Sequence, residues 1–270
     1  MDKGTSLADL LSFRGRAVLV TGGCQNFGLE ISDGLAELGA GLVVSSRQVE
    51  KAQRRAEDLR SRYGVETLGI GMDITDEESV RRGFSAAAER FGTLDALVNN
   101  AGGHGSGTTG TLDQEPLGAW EGYLRANMTG TFLCLREYAR LMIPQRRGAV
   151  VNIASVTSLL GRDRRVYEGL PMMPNPVPYT AAKAGVIGLT YDAAAALGRY
   201  GIRVNAVSPG GFLRGQPQQF VEAYAERTML GRMGRDGRDL KGAVAFLCSE
   251  AASYVTGHNL YVDGGFSRFK

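Results

Sequence analysis

The sequence predicts an α/β fold: one doubly wound domain with a mostly parallel, seven-stranded sheet and helices on both faces. Three observations lead there. Short apolar runs alternate with longer amphipathic or Ala-rich stretches along the chain, the pattern of strands joined by crossover helices. No linker or break in composition divides the 270 residues, a length that suits one domain with a sizeable core. Glycine is plentiful at 38 copies, about twice the roughly 7% average, so tight turns or close backbone approaches are frequent.

The elements follow in order. Ala17 to Val20 is a short apolar, strand-like run. Leu29 to Leu38 is helical, with Ile31, Leu35 and Leu38 on one side. Leu42 to Val44 reads as a strand, Gln48 to Tyr63 as a charged helix and Val65 to Met72 as a strand. Asp76 to Phe91 is helical and Leu94 to Val98 a strand. Leu117 to Met142 is one long helix or two abutting ones, and Ala149 to Ala154 is a strand. Tyr179 to Tyr200 is an Ala-rich helix, followed by a strand at Val204 to Val207 and a helix at Gly237 to Ser249. Leu260 to Val262 is the last short strand.

Composition narrows the function. Apolar residues at 43% and charged residues at 22% are ordinary for a globular protein. A net charge of +3 is too small and scattered for a nucleic-acid partner. The basic runs Arg146-Arg147 and Arg162 to Arg165 read as solvated loops rather than phosphate-reading patches. Cys24, Cys134 and Cys248 form no CxxC, and His104 and His258 are the only histidines. No zinc spacing results, no metal is expected, and free thiols fit a reducing compartment. The N-terminus has no long apolar stretch with a cleavage site, and no run of 18 apolar residues occurs. A cytoplasmic protein with no membrane contact is expected.

In parallel α/β sheets, ligands sit beyond the carboxyl ends of the strands, where strand order reverses. The first strand is followed there by Thr21-Gly22-Gly23-Cys24-Gln25-Asn26-Phe27-Gly28 and then a helix. Such a turn lets the backbone approach a pyrophosphate, with helix N–H groups facing it. A Gly-rich turn also arises for packing alone, so its place between first strand and first helix is what gives it weight.

Further motifs follow the later strands. Asp73-Ile74 comes after the third and Asn99-Asn100-Ala101-Gly102 ends the fourth. Asn127 lies within the long helix, Ser155 ends the fifth strand, and Tyr179-x-x-x-Lys183 opens the Ala-rich helix. Pro209-Gly210 ends the sixth strand, and Val255-Thr256-Gly257 and Val262-Asp263-Gly264-Gly265 close the chain. Over nearly its whole length the chain thus resembles the short-chain dehydrogenase/reductase family. The loop matches that family's TGxxxGxG fingerprint except at Asn26, where a second glycine is usual; Asn is among the residues most tolerant of positive φ.

The resemblance implies a Rossmann fold and hydride transfer between a nicotinamide and a ketone or secondary alcohol. Such a reaction needs a proton donor for the alkoxide, or a base in reverse. A tyrosine near pKa 10 is a poor base unless a cation favours the phenolate, and residues four apart share a helix face. By resemblance, Tyr179 is the general acid/base, Lys183 lowers its pKa and bonds the nicotinamide ribose, Ser155 orients the carbonyl, and Asn127 holds a water for proton relay. Alone, Tyr179 and Lys183 would read as a solvated pair, Ser155 as a turn or cap and Asn127 as surface. The same resemblance assigns the cofactor to Gly22, Gln25, Asn26, Phe27 and Gly28, with Asp73 and Ile74 at the adenine. Asn100, Ala101 and Gly102 then line the ribose side, and Pro209, Gly210 and Phe212 cover the nicotinamide. Asp73 also reads simply as a turn residue before Thr75.

The end of the second strand bears on which nicotinamide. An acidic residue there would hold the ribose 2′-OH, but the chain has Ser45-Ser46-Arg47. Ser46 and Arg47 suit a 2′-phosphate, which favours NADP(H). NAD(H) stays open, because Arg47 also reads as a solvated helix start and Gln25 stands where a basic residue would help.

The substrate side carries insertions near 103-112, 160-178 and 211-226. Tyr179 comes 24 residues after Ser155, about twice the spacing usual in the family. The extra stretch holds Arg162, Asp163, Arg164, Arg165, Tyr167 and Glu168 and leads into Tyr179. It either roofs the substrate pocket, with arginines for an acidic or polyhydroxylated substrate, or is a surface extension. Tyr167 and His104 are further substrate candidates beside Ser155 and Tyr179; His104 also reads as a plain loop residue. Arg214 stands where the family often has a threonine. The chain is similar both to gluconate-type sugar-acid dehydrogenases and to 3-ketoacyl or ketone reductases. A non-catalytic NAD(P)-sensing protein is the alternative outside enzymes, and assembly as a homotetramer or dimer is expected from the family.

Overall fold

The computed structural model describes residues 4–103, 108 and 111–269. The first strand of its sheet is β1 (Ala17–Val20). Val18, Leu19 and Val20 are fully buried, because helices cover both faces; hence an unbroken apolar run instead of an alternating one. β2 (Gly41–Ser46) and β3 (Thr67–Gly71) lie on one side. β4 (Ala96–Asn99), β5 (Gly148–Ile153) and β6 (Ile202–Pro209) lie on the other. The sheet order is β3-β2-β1-β4-β5-β6 and then the last strand, Asn259–Val262. All six pairings are parallel, so the sheet is wholly rather than mostly parallel. Strand order reverses between β1 and β4, and a crevice opens there at the carboxyl ends.

The side chains of β1 alternate between two cores. Val18 and Val20 join a cluster with Ile31, Leu35, Leu59 and Val244. These come from α2 (Phe27–Glu37), α3 (Val49–Tyr63) and, late in the chain, the helix Lys241–Cys248. Ala17 and Leu19 join Phe84, Leu133, Tyr138 and Leu197 on the other face. That face is built by α4 (Glu77–Phe91), α6 (Gly130–Met142) and α7 (Val177–Gly198). The Asp76 side chain accepts from Glu78 N–H at the start of α4, and Gly64, in the left-handed region, ends α3.

Several pieces depart from the sequence expectation. α1 (Leu7–Leu11), α5 (Leu117–Leu124) and α8 (Gln218–Ala225) are short, and only α5 falls within an expected helix. α5 and α6 are joined by a π-helical turn, Arg125–Thr129, so the long helix is neither one α-helix nor two that simply abut. β7 (Phe212–Leu213) and β8 (Gly234–Arg235) form a separate two-stranded ribbon. Their patterns are too short for periodicity to register.

Candidate active site

The Gly-rich loop is clamped to β4. Thr21 Oγ1 accepts from the N–H groups of Asn100 and Ala101, both at 3.0 Å. The Asn100 amide donates to the carbonyls of Thr21 and Gly22 at 3.0 and 3.1 Å. Asn100 therefore braces the loop, and its amide nitrogen is already occupied. Gly22 has φ +61°, and a Cβ there would sit 3.0 Å from Ala101 Cα. A Cβ at Gly28 would strike the Gly22 carbonyl oxygen; Gly28 is the packing glycine under the loop. Asn26 takes φ 47° and ψ −133°, a conformation that strongly favours glycine.

A groove of about 770 Å³ runs over this loop. Gly22, Gln25, Asn26 and Phe27 line it at the loop, and Ser46 and Arg47 at one end. Asp73, Ile74, Asn100, Ala101 and Gly102 form its wall, and Asn127, Tyr179 and Lys183 its other end. A cradle with no room for a Cβ at Gly22, Gly23 or Gly28, beside a helix N-terminus, fits a nicotinamide cofactor. Asp73 also performs the turn role: its Oδ1 accepts from Thr75 N–H and Oγ1 at 2.9 and 2.8 Å. At the Ser46 end, Lys51 Nζ donates to Gln25 Oε1 at 2.9 Å. A second cation thus stands near Arg47, held by the residue whose neutrality weighed against a phosphate.

Asn127 sits on the π-helical turn, a distortion that often marks functional sites. Its Nδ2 donates to Gly103 O at 2.9 Å and Tyr123 O at 3.0 Å. A Cβ on Gly102 would lie 2.5 Å from its Oδ1 and 3.7 Å from Lys183 Nζ, so those two polar atoms converge over a glycine. Lys183 is buried and donates to Ile153 O at 2.7 Å. Burial lowers its ammonium to about 8. The Tyr179 ring centre lies 5.9 Å from Lys183 Nζ. Burial pushes the Tyr179 phenol above its ordinary value, and the Ser155 hydroxyl and Arg162 charge pull it partly back. Lys183 and Tyr179 thus share one end of the groove, with Lys183 anchored on the Ile153 carbonyl. Ser155 also caps a short turn, accepting from Thr157 N–H at 3.3 Å.

A buried ladder fixes these elements. Asn99 Nδ2 donates to Asn152 Oδ1 and Asn152 Nδ2 to Thr190 Oγ1, each at 2.9 Å. It ties β4 to β5 and β5 to α7, the helix that carries Tyr179. Nothing local in the sequence marks Asn152 or Thr190 for this.

A second cavity of about 360 Å³ adjoins the groove, with Tyr179, Phe27 and Arg214 lining both. Ser155, Tyr167, Pro209, Gly210 and Phe212 line only this cavity. The 160–178 segment does roof it, and α8 builds its far wall: Tyr167, Phe220 and Tyr224 follow at ring separations of 5.2 and 5.9 Å, and Phe266 stacks on Tyr224 at 4.7 Å. Asp263 accepts from the N–H groups of Gly265 and Ser267 at 2.9 and 2.8 Å, the turn that carries Phe266 inward. Arg214 lies over the Phe27 ring at 4.0 Å and pairs with Asp236 at 2.6 Å. His104 lies outside the described residues. A larger cavity of about 870 Å³ lies at the opposite, amino-terminal end of β1 and β2, far from any of these groups.

Glu30, in the first turn of α2, is buried, and neither carboxylate oxygen has a hydrogen-bond partner. Burial first, then the Asp236 charge, push its carboxyl from 4.5 up to about 7. The nearby amides of Leu240 and Gly237 and the Arg214 charge oppose this, without a hydrogen bond of good geometry. A carboxyl raised on folding is protonated in both states below its unfolded value and imposes no penalty there. As pH rises from 4.5 to about 7, the unfolded chain releases the proton first, and the fold loses about 3 kcal/mol. Glu30→Gln is expected to remove most of that loss, read as urea unfolding at about pH 5 and pH 8. Parallel losses in both proteins would exonerate Glu30.

Fold and site together define a nicotinamide-type oxidoreductase: a cradle at the sheet's switch point with Tyr179 and Lys183 at one end and Ser155 in the adjoining cavity. Residues 23–267 match the family described as enoyl-(acyl carrier protein) reductase, and the chain belongs to the short-chain dehydrogenase/reductase family. It is 34% identical over 264 residues to the 3-oxoacyl-(acyl-carrier-protein) reductase FabG of Aquifex aeolicus (strain VF5), covering 94% of this chain and 98% of that one. Among solved structures it is similar to a gluconate 5-dehydrogenase from Burkholderia cenocepacia J2315 in complex with NADP and tartrate, at 33% identity and TM-score 0.85, covering 97% and 99% of the two chains. It is also similar to an NAD+-bound xylitol dehydrogenase, at 31% identity and TM-score 0.84, covering 94% and 98%. The relatives are dehydrogenases and reductases, and this chain is an oxidoreductase. Among the described residues, no helix is long and apolar enough to cross a membrane.

Proposed function

We propose that the chain moves a hydride between NADP(H) and a small ketone or secondary alcohol, with Tyr179 as general acid/base. The observation that carries this is the position of Tyr179, on the shared wall of groove and cavity. A reduced nicotinamide in the groove supplies the hydride. Ser155 donates to the substrate carbonyl and steadies charge as it develops. The Tyr179 hydroxyl hands its proton to the carbonyl oxygen. A tyrosine phenol is protonated at neutral pH, the form an acid catalyst needs, and burial raises it further. Lys183, which faces Gly102 together with Asn127 Oδ1, is placed to pass a replacement proton inward. In the oxidative direction the same groups run in reverse.

Arg47 and Lys51 at the Ser46 end of the groove support NADP(H) over NAD(H). The cavity's small volume and aromatic wall suit a compact substrate.

The test is NADPH consumption by the pure protein over a panel of small neutral ketones, oxo acids and a 3-oxoacyl thioester. Ketone-dependent consumption with at least one member is expected. Tight NADPH binding with no turnover across the panel would instead support a non-catalytic sensor.

A further inference from the structure

The arginines around the substrate-side cavity differ in how they are committed. Asp163 takes Arg165 at 2.8 Å and Arg227 at 3.1 Å, which holds its carboxyl well below the usual range. Arg214 is taken by Asp236. Arg162 lines the same cavity, and among the described residues no carboxylate pairs with it. Its Nη1 donates to the Asn175 carbonyl at 2.8 Å, which anchors one corner. A guanidinium has five N–H donors in a planar fork, so most remain for a ligand. Burial raises the phenols of Tyr179, Tyr167 and Tyr224, and the Arg162 charge partly opposes that rise at each. The cation therefore acts on the space in which Tyr179 meets substrate, against a wall of low polarity.

We propose that Arg162 binds a carboxylate of the substrate, so that the natural substrate is an oxo or hydroxy acid whose reacting carbon lies at Tyr179. The inference rests on the hydride-transfer reading above and deepens it. A planar carboxylate matches the fork in a bidentate manner. A phosphate, with up to twice the charge, calls for further free donors, and Arg214 and Arg227 are already neutralised. A neutral ketone or an acyl thioester brings no charge to the reacting end and leaves Arg162 unmatched.

The experiment compares acids with their own esters. Levulinate and acetoacetate, each beside its methyl ester, are reduced with NADPH by the unaltered protein, Arg162→Gln and Arg162→Lys. Levulinate binding to the NADP-loaded protein is measured separately by calorimetry. The unaltered protein is expected to prefer acid over ester in kcat/KM, and Arg162→Gln to lower that ratio about 10- to 100-fold. Arg162→Lys keeps the charge without the fork and should lose less. A melting temperature close to that of the unaltered protein excludes misfolding of the Gln variant, and the Lys variant carries the comparison if Gln fails to fold. An acid-to-ester ratio that is the same in all three proteins overturns the carboxylate site and leaves hydride transfer standing. Arg162-dependent levulinate binding with no reduction of any of the four compounds overturns hydride transfer and leaves the anion site standing.

Discussion

Tyr179→Phe is expected to lower kcat for ketone reduction by about three orders of magnitude while NADPH affinity changes little. The substitution removes one oxygen and keeps the ring. That ring is part of the wall between groove and cavity, so both spaces keep their shape. What is lost is the proton for the substrate oxygen. Among the described residues no other group with a suitable proton shares both walls: Phe27 and Ala154 have none, and Arg214 is paired with Asp236. Ser155 remains as a hydrogen-bond donor, so a residual rate above background is expected from positioning alone. Single-turnover kinetics with calorimetric NADPH binding make the check. Full activity in Tyr179→Phe would mean that another group delivers the proton. The same chemistry has a pH signature. A tyrosine phenol is protonated at neutral pH and burial moves its release further up, so alcohol oxidation should quicken as pH rises, and reduction should slow only once the phenol is released at alkaline pH.

The joint replacement Arg47→Ala with Lys51→Ala is expected to weaken NADPH about a hundredfold and NADH only slightly. On the NADP(H) reading each cation would make a charge-assisted contact to the 2′-phosphate, and such contacts to charged groups are worth roughly 1.5–3 kcal/mol. Both residues line one end of the groove, so their effects should couple rather than add. Lys51 is the more informative single change. It is held by Gln25 at 2.9 Å, so Gln25→Ala should loosen it and reproduce part of the loss without removing a charge. Calorimetric titration of each variant with NADPH and with NADH makes the comparison. Equal weakening of the two cofactors, or of neither, would return Arg47 to a solvated helix start and favour NAD(H).

These two experiments separate what was legible in the chain from what was not. The order of strands and helices could be read because backbone period is local: a strand buried on both faces is an apolar run, and an amphipathic helix repeats every three to four residues. β1 and α4 show it, within a residue or two of the expected bounds. The placing of Tyr179 and Lys183 on one helix face was equally local, since it needs only their spacing. The crevice at the strand ends followed from the parallel order.

Tertiary structure alone decided the rest, because it brings together residues that no local pattern relates. Lys51 reaches the groove through Gln25, 26 positions earlier. The cavity's aromatic wall joins Tyr167 to Phe220 and Tyr224 to Phe266, and α8 is too short for its period to register. Arg162 is one of several arginines at 162–165; packing brings Arg227 to Asp163 and places Arg162 at the cavity. Desolvation is likewise a property of the assembled interior. It raises Glu30 to about 7 and lowers Lys183 to about 8, and it raises the Tyr179 phenol above its ordinary value. Spacing settles which groups can meet along one helix, but the charge a group carries depends on everything packed around it.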